Sequence, residues 1–144
     1  MKLEEIQELW AKDSKVDRTE LGDEAIKIPQ LHSKYFNIFS QERLALKKIE
    51  EDGKILYRDL WEYYQGSLDY ETMQQYQWEQ NPLKILKADI PVYLEGNRDW
   101  INYNLKKAYQ KEKVEFLEAI IKSLNNRGFN INAAIQWEKF KVGI

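Results

Sequence analysis

Residues 30–64, QLHSKYFNIFSQERLALKKIEEDGKILYRDLWEYY, carry one long helical period broken only by Gly53. On a 100° wheel Leu31, Tyr35, Ile38, Leu46, Ile49, Leu56, Leu60 and Tyr63 fall in one stripe narrower than half the circumference. At 1.5 Å per residue such a helix is about 50 Å long, whereas a small domain spans only about 30 Å. Its apolar face therefore needs a partner helix, in the same chain or another. Gly53 sits inside the stripe. A mid-helix glycine costs about 1 kcal/mol relative to alanine, which predicts a close helix approach or a bend at that point.

Upstream, Leu3, Ile6, Leu9 and Trp10 predict a short amphipathic helix over 3–11. The charged run from Asp13 to Arg18 breaks it, and Asp17 with Glu20 has capping-box spacing for a new start. Pro29 either kinks this next helix or opens the following one. Downstream, Gly66 ends the long helix and Asp69 caps a short one running to Trp78. Residues 67–91 are otherwise irregular, with Asn81-Pro82 as a breaker, and Leu83–Ala88 and Pro91–Leu94 are packing segments of no assigned geometry. Asn97 caps a second long helix over 98–126, with Trp100, Ile101, Leu105, Ala108, Leu117, Ile120, Ile121 and Leu124 as its apolar positions. Arg127-Gly128-Phe129 reads as a stop, the glycine taking the left-handed conformation beyond a helix end. Asn130 then caps a last helix striped by Ala133, Trp137, Phe140 and Ile144. The expected fold is all-α: a long helical hairpin with short N- and C-terminal helices. It forms a single domain in which 1–66 are N-terminal helices, 67–96 an irregular connector and 97–144 C-terminal helices.

Composition narrows the function. The 144 residues include 22 basic and 24 acidic side chains, a net charge of -2, so bulk charge does not recruit a polyanion and any such binding needs a local patch. There is no cysteine, and His32 is the only histidine, which removes thiolate chemistry and imidazole metal pairs. No phosphate loop, nucleophile elbow or metal-spaced ligand set is present. No catalytic residue, metal site or cofactor is expected, and His32 reads as a packing or partly exposed helix residue. The acidic groups Glu50/Glu51/Asp52 and Glu115/Glu118 read as solvated faces. No apolar run reaches the roughly 18–20 residues that span a bilayer, and the acidic N-terminus is unlike a signal peptide. A cytoplasmic protein without membrane contact is expected.

One constellation stands out. Arg43, Lys47, Lys54 and Arg58 fall within about 60° of one another on the helix, a narrow basic stripe of about four turns. Trp61 shares the stripe and Tyr57 borders it, while Glu50 lies within it. Spaced cations beside aromatic rings suit a single-stranded nucleic acid, charge meeting phosphates and π-faces meeting bases. The competing reading is a solvated face with salt bridges. A second cluster, Lys106, Lys107, Lys111 and Lys113, is interrupted by Glu112. The terminal stripe of Ala133, Trp137, Phe140 and Ile144 either covers the protein's own core or docks another subunit. Tyr70, Tyr76 and Trp78 either stack on bases or pack, and packing is the commoner use of such rings.

Several segments in register also resemble a known family. Leu3-Glu4-Glu5-Ile6-Gln7, Leu31-His32-Ser33-Lys34-Tyr35, Lys48-Ile49-Glu50, Tyr63-Tyr64-Gln65-Gly66 and Arg127-Gly128-Phe129 are similar, in order and spacing, to the UvsY family of T-even-type phages. Leu86-Lys87-Ala88-Asp89 and Asn125-Asn126 suggest its marine branch. The resemblance covers essentially the whole chain. It implies a non-enzymatic recombination mediator that binds single-stranded DNA, destabilises the coat of phage single-strand-binding protein and promotes loading of the RecA-like recombinase UvsX. It further implies a ring-like homo-oligomer, hexamer or heptamer, in the cytoplasm of the infected bacterial host. On this resemblance Phe129, Ala133, Trp137, Phe140 and Ile144 are subunit contacts, and the basic segment before Tyr63-Tyr64 contacts DNA. Arg58 matches the family's first basic residue there, while Leu60 stands in place of the second, shifting the load to Lys54, Lys47 and Arg43. The alternative without the resemblance is a helical homo-oligomeric interaction adaptor that does not touch DNA.

Overall fold

The computed structural model describes residues 1–81 and 84–143. Its elements are α1 (Leu3–Asp13), α2 (Leu21–Gln65), α3 (Tyr70–Tyr76), a 3-10 turn (Lys87–Asp89), α4 (Ile90–Glu95) and α5 (Arg98–Lys141). The described residues contain no strand, and the all-α expectation holds. Backbone contacts divide the chain into two compact units, Met1–Leu44 with Lys111–Ile144, and Ala45–Gln110.

In the first unit α1 packs on the N-terminal half of α2 and the C-terminal half of α5. Ile6, Tyr35, Leu117, Ile120 and Leu124 form the buried core, and Trp10 meets Tyr35 edge-on at 5.4 Å. The chain leaving α1 is pinned by Asp13, whose carboxylate accepts from Lys34 Nζ at 2.7 Å and from the Tyr35 hydroxyl at 2.8 Å. Arg127 reaches the Asp13 carbonyl at 3.0 Å and lays its guanidinium over the Trp10 ring.

In the second unit the C-terminal half of α2 runs antiparallel to the start of α5, with Gly53 opposite Tyr103 and Tyr57 opposite Trp100. Among the described residues, Leu60, Leu68, Ile90 and Leu94 are its buried hydrophobic side chains. Tyr76 and Trp78 stack at 4.0 Å, and each is tied down by a carboxylate: the Tyr76 hydroxyl donates to Asp59 and Trp78 Nε1 to Asp99. Burial and the Asp59 bond push the Tyr76 phenol up to about 12. These two rings pack; Tyr70 stays exposed.

The local caps lie where the sequence puts them. Asp69 accepts from the Thr72 amide, and Asn97 Oδ1 from the Asp99 amide at 2.8 Å. Gly66 closes α2 at φ 86°, with the Ser67 amide bonding back to the Glu62 carbonyl.

Three expectations are corrected. The Asp17 carboxylate turns back to Thr19 rather than capping with Glu20, and α2 begins at Leu21. Pro29 lies inside α2 and opens no new helix, so α2 starts nine residues before the predicted Gln30. The Arg127-Gly128-Phe129 stop is absent, and the separate terminal helix after Asn130 is the last part of α5. The buried positions Leu117, Ile120, Leu124, Arg127 and Ile131 keep helical spacing straight through Gly128. Arg127, held by α1, favours continuing the helix over ending it.

Candidate nucleic-acid interface

The second unit holds most of the basic stripe. Helical spacing places Lys47, Glu50, Gly53, Lys54, Tyr57 and Trp61 along one side of α2. Glu51 lies between two of the cations: its carboxylate takes Lys47 Nζ at 3.1 Å and Lys54 Nζ at 3.0 Å. The Lys54 bond, then the Lys47 bond, holds the Glu51 carboxyl below its ordinary range, and Glu51 in turn raises the Lys47 ammonium. All three side chains are about half exposed or more. Such exposed pairs are screened by solvent and weak, so a phosphate competes for either lysine at little cost.

Arg58 is aimed at its neighbour. Its guanidinium contacts Asp59 at 3.3 Å, and Asp59 is buried and also accepts from Tyr76. This ties the guanidinium itself to a buried carboxylate, although the arginine side chain is 66 % exposed. Arg43 belongs to the first unit, where its guanidinium lies 5.1 Å from the Phe39 ring centre. The structure thus gathers Lys47, Lys54, Tyr57, Arg58 and Trp61 in one unit and leaves Arg43 in the other.

Aromatic rings line this face in a row. Trp61 stacks on Tyr57 at 6.2 Å, Tyr57 meets Trp100 edge-on at 5.5 Å, and Trp100 stacks on Tyr103 at 5.1 Å. Lys107 Nζ continues the row 5.5 Å over Tyr103. A shallow cleft of about 290 Å³ opens among Gly53, Lys54, Tyr57, Trp100, Tyr103 and Lys107, with Glu50 on its edge. Gly53 is what admits the Tyr103 ring; a methyl group at this position would overlap it. Close approach at Gly53 is thus as the sequence predicts.

Trp100, Tyr103 and Lys107 are members of this face that sequence reasoning did not assign to it. Their spacing of three and four marks a common side of α5, but only the docking against α2 reveals which side it is. The second basic cluster does not stay together: Lys113 is buried in the first unit beside Glu42, at 3.3 Å.

The proposed subunit contacts are exposed. Phe129 is 77 % exposed, Trp137 55 % and Phe140 73 %; Trp137 and Phe140 stack at 5.5 Å, and Ala133 is also exposed. Ile144 lies outside the described residues. Among the described residues, no group of three His, Asp or Glu could hold a metal ion, and no helix is long and apolar enough to cross a membrane.

The family model for UvsY, described as a recombination, repair and ssDNA binding protein, matches residues 9–144. The chain is 25 % identical over 143 residues to the recombination protein uvsY of Enterobacteria phage T4, covering 99 % of each chain. Crystal structures of the bacteriophage T4 recombination mediator protein UvsY superpose with a TM-score of 0.85 at 25 % identity, covering 99 % of this chain and 98 % of that one. A second lattice form gives 0.84 at 25 % identity, covering 97 % and 99 %.

Proposed function

This chain belongs to the UvsY family of recombination, repair and single-stranded-DNA-binding proteins, and we propose that it acts as a recombination mediator in phage homologous recombination. It binds single-stranded DNA through Lys47, Lys54 and Arg58 with Tyr57 and Trp61, and Arg43, one turn before Lys47 in α2, makes a separate phosphate contact. It destabilises the coat of phage single-strand-binding protein and promotes loading of the RecA-like recombinase UvsX, without covalent chemistry or a cofactor, in the cytoplasm of the infected host. The observation that carries this reading is the family match along nearly the full chain.

The charge balance gives the mechanism its form. One subunit carries a net charge of -2, and its stripe is interleaved with Glu50 and Glu51. A single stripe therefore binds weakly. In a hexameric or heptameric ring, with Phe129, Ala133, Trp137, Phe140 and Ile144 as subunit contacts, the stripe is repeated along one strand. Linked weak sites then act at high effective concentration. Weak individual contacts also suit a mediator, which must hold DNA and then yield it to the recombinase. On this reading residues 1–144 form one functional domain, with the DNA stripe in 1–66, the connector in 67–96 and assembly in 97–144.

The test is recombinase nucleation on strands already coated with phage single-strand-binding protein. The mediator shortens the lag before filament growth, and Arg58→Glu with Lys54→Glu restores it. An unchanged lag at saturating protein would overturn mediation.

A further inference from the structure

We propose that the cleft over Gly53, walled by Tyr57 of α2 and by Trp100 and Tyr103 of α5, is a stacking site for one nucleobase of the bound strand. The inference rests on the single-stranded-DNA reading above and adds to it a base-contacting pocket on the second long helix.

Shape is the first argument. The cleft, about 290 Å³, sits at the lower end of ligand-pocket sizes. That is room for one planar ring rather than an extended ligand. Gly53 lets the Tyr103 ring seat against α2, and that ring forms one wall of the cleft. Tyr57 is 41 % exposed, and Trp100 and Tyr103 are half-buried, so the rings are held by packing yet remain open to solvent. Rings fixed in this way lose little freedom when a base stacks on them.

Charge is the second. Lys54 and Lys107 belong to the cleft wall from opposite helices, as a strand entering and leaving a base pocket would require of its phosphate contacts. Glu50 also lines the cleft, and its carboxylate disfavours a phosphate inside. An uncharged base within, with its flanking phosphates on the lysines, satisfies both signs. The Tyr103 hydroxyl itself is seated against α2 at Gly53, and burial, then the Glu50 and Asp52 carboxylates, raise it above its ordinary value.

The test compares a fluorescent oligo-dT strand with an abasic strand of equal length, for wild type, Trp100→Leu and Trp100→Phe, with helicity and melting checked for each. Wild type is expected to bind the base-bearing strand at least about fivefold more tightly, the lower end of what one stacked base contributes. Trp100→Leu cuts the preference severalfold and Trp100→Phe, which keeps a ring, retains most of it. Equal wild-type affinity for the two strands overturns the pocket, and so does a folded Trp100→Leu variant that keeps the full preference. Competition by free thymidine monophosphate at equal nucleotide concentration would make the cleft a mononucleotide site and overturn the strand assignment. If the abasic strand still binds and Arg58→Glu releases it, the DNA reading stands whichever way the pocket falls. If wild type binds neither strand, that reading fails, and the pocket with it.

Discussion

Glu51 shows how one side chain sets the behaviour of two others. Its carboxylate bridges Lys47 and Lys54, so each cation faces an anion a turn away. Glu51→Gln removes the negative charge and leaves both lysines for phosphate. Binding to single-stranded DNA should tighten several-fold, and the log–log salt slope should steepen toward the limit of about 0.7 per phosphate contacted. Titrations at three salt concentrations check this. Asp13 has the opposite, structural role. Burial raises its carboxyl, but the bonds from Lys34 and Tyr35 outweigh burial and hold it below the ordinary value of 3.8. A group depressed in the folded state contributes stability above its unfolded value and loses it as pH falls through its folded value. Asp13→Ala also strands the fully buried Tyr35 hydroxyl. It should destabilise the protein by about 1.5–3 kcal/mol at neutral pH. The gap should start to narrow only as pH falls below the ordinary carboxylate value of 3.8 toward the lower folded value, as measured by urea unfolding across pH.

At the scale of elements, Gly128 carries the sharpest correction. A glycine beyond a helix end adopts positive φ, which alanine resists; a glycine inside a helix only loses stability relative to alanine. Gly128 lies within α5, without positive φ, and a methyl group there would meet only Ile28 Cδ1, at 4.0 Å. Gly128→Ala should therefore stabilise the protein by about 0.5–1 kcal/mol. Destabilisation on thermal melting would restore the stop. The elements show why some of the fold was readable in sequence. Asp69, Asn97 and Gly66 act on amides and carbonyls within a few residues, so their chemistry is local and the sequence displays it. Gly53 was readable because a costly residue sat inside an apolar stripe. Gly128 was misread because Arg127 is satisfied by Trp10 and Asp13, more than a hundred residues away. The 7-residue step from Leu124 to Ile131 was the available sign that the helix runs on. Trp100, Tyr103 and Lys107 were likewise visible as a spacing, but their meeting with Tyr57 and Lys54 is a product of helix docking.

As a whole molecule, a chain of net charge -2 is proposed to hold single-stranded DNA through a repeated, locally basic face. Fold and family fit that claim, and the exposed Phe129, Trp137 and Phe140 offer apolar area for the assembly it requires. Charge reversal separates the two parts, since Lys54 and Arg58 lie in the second unit and the terminal stripe in the first. The most direct measurement is fluorescence anisotropy of a labelled oligo-dT strand across a salt series, with Arg58→Glu and Lys54→Glu beside wild type and light scattering on every sample. Wild-type binding should be salt-sensitive, and binding in either variant at least tenfold weaker, with oligomer mass unchanged. Binding that both reversals leave intact would move the DNA off this face, and an oligomeric wild type that binds no strand at low salt would contradict the account and leave an adaptor without DNA.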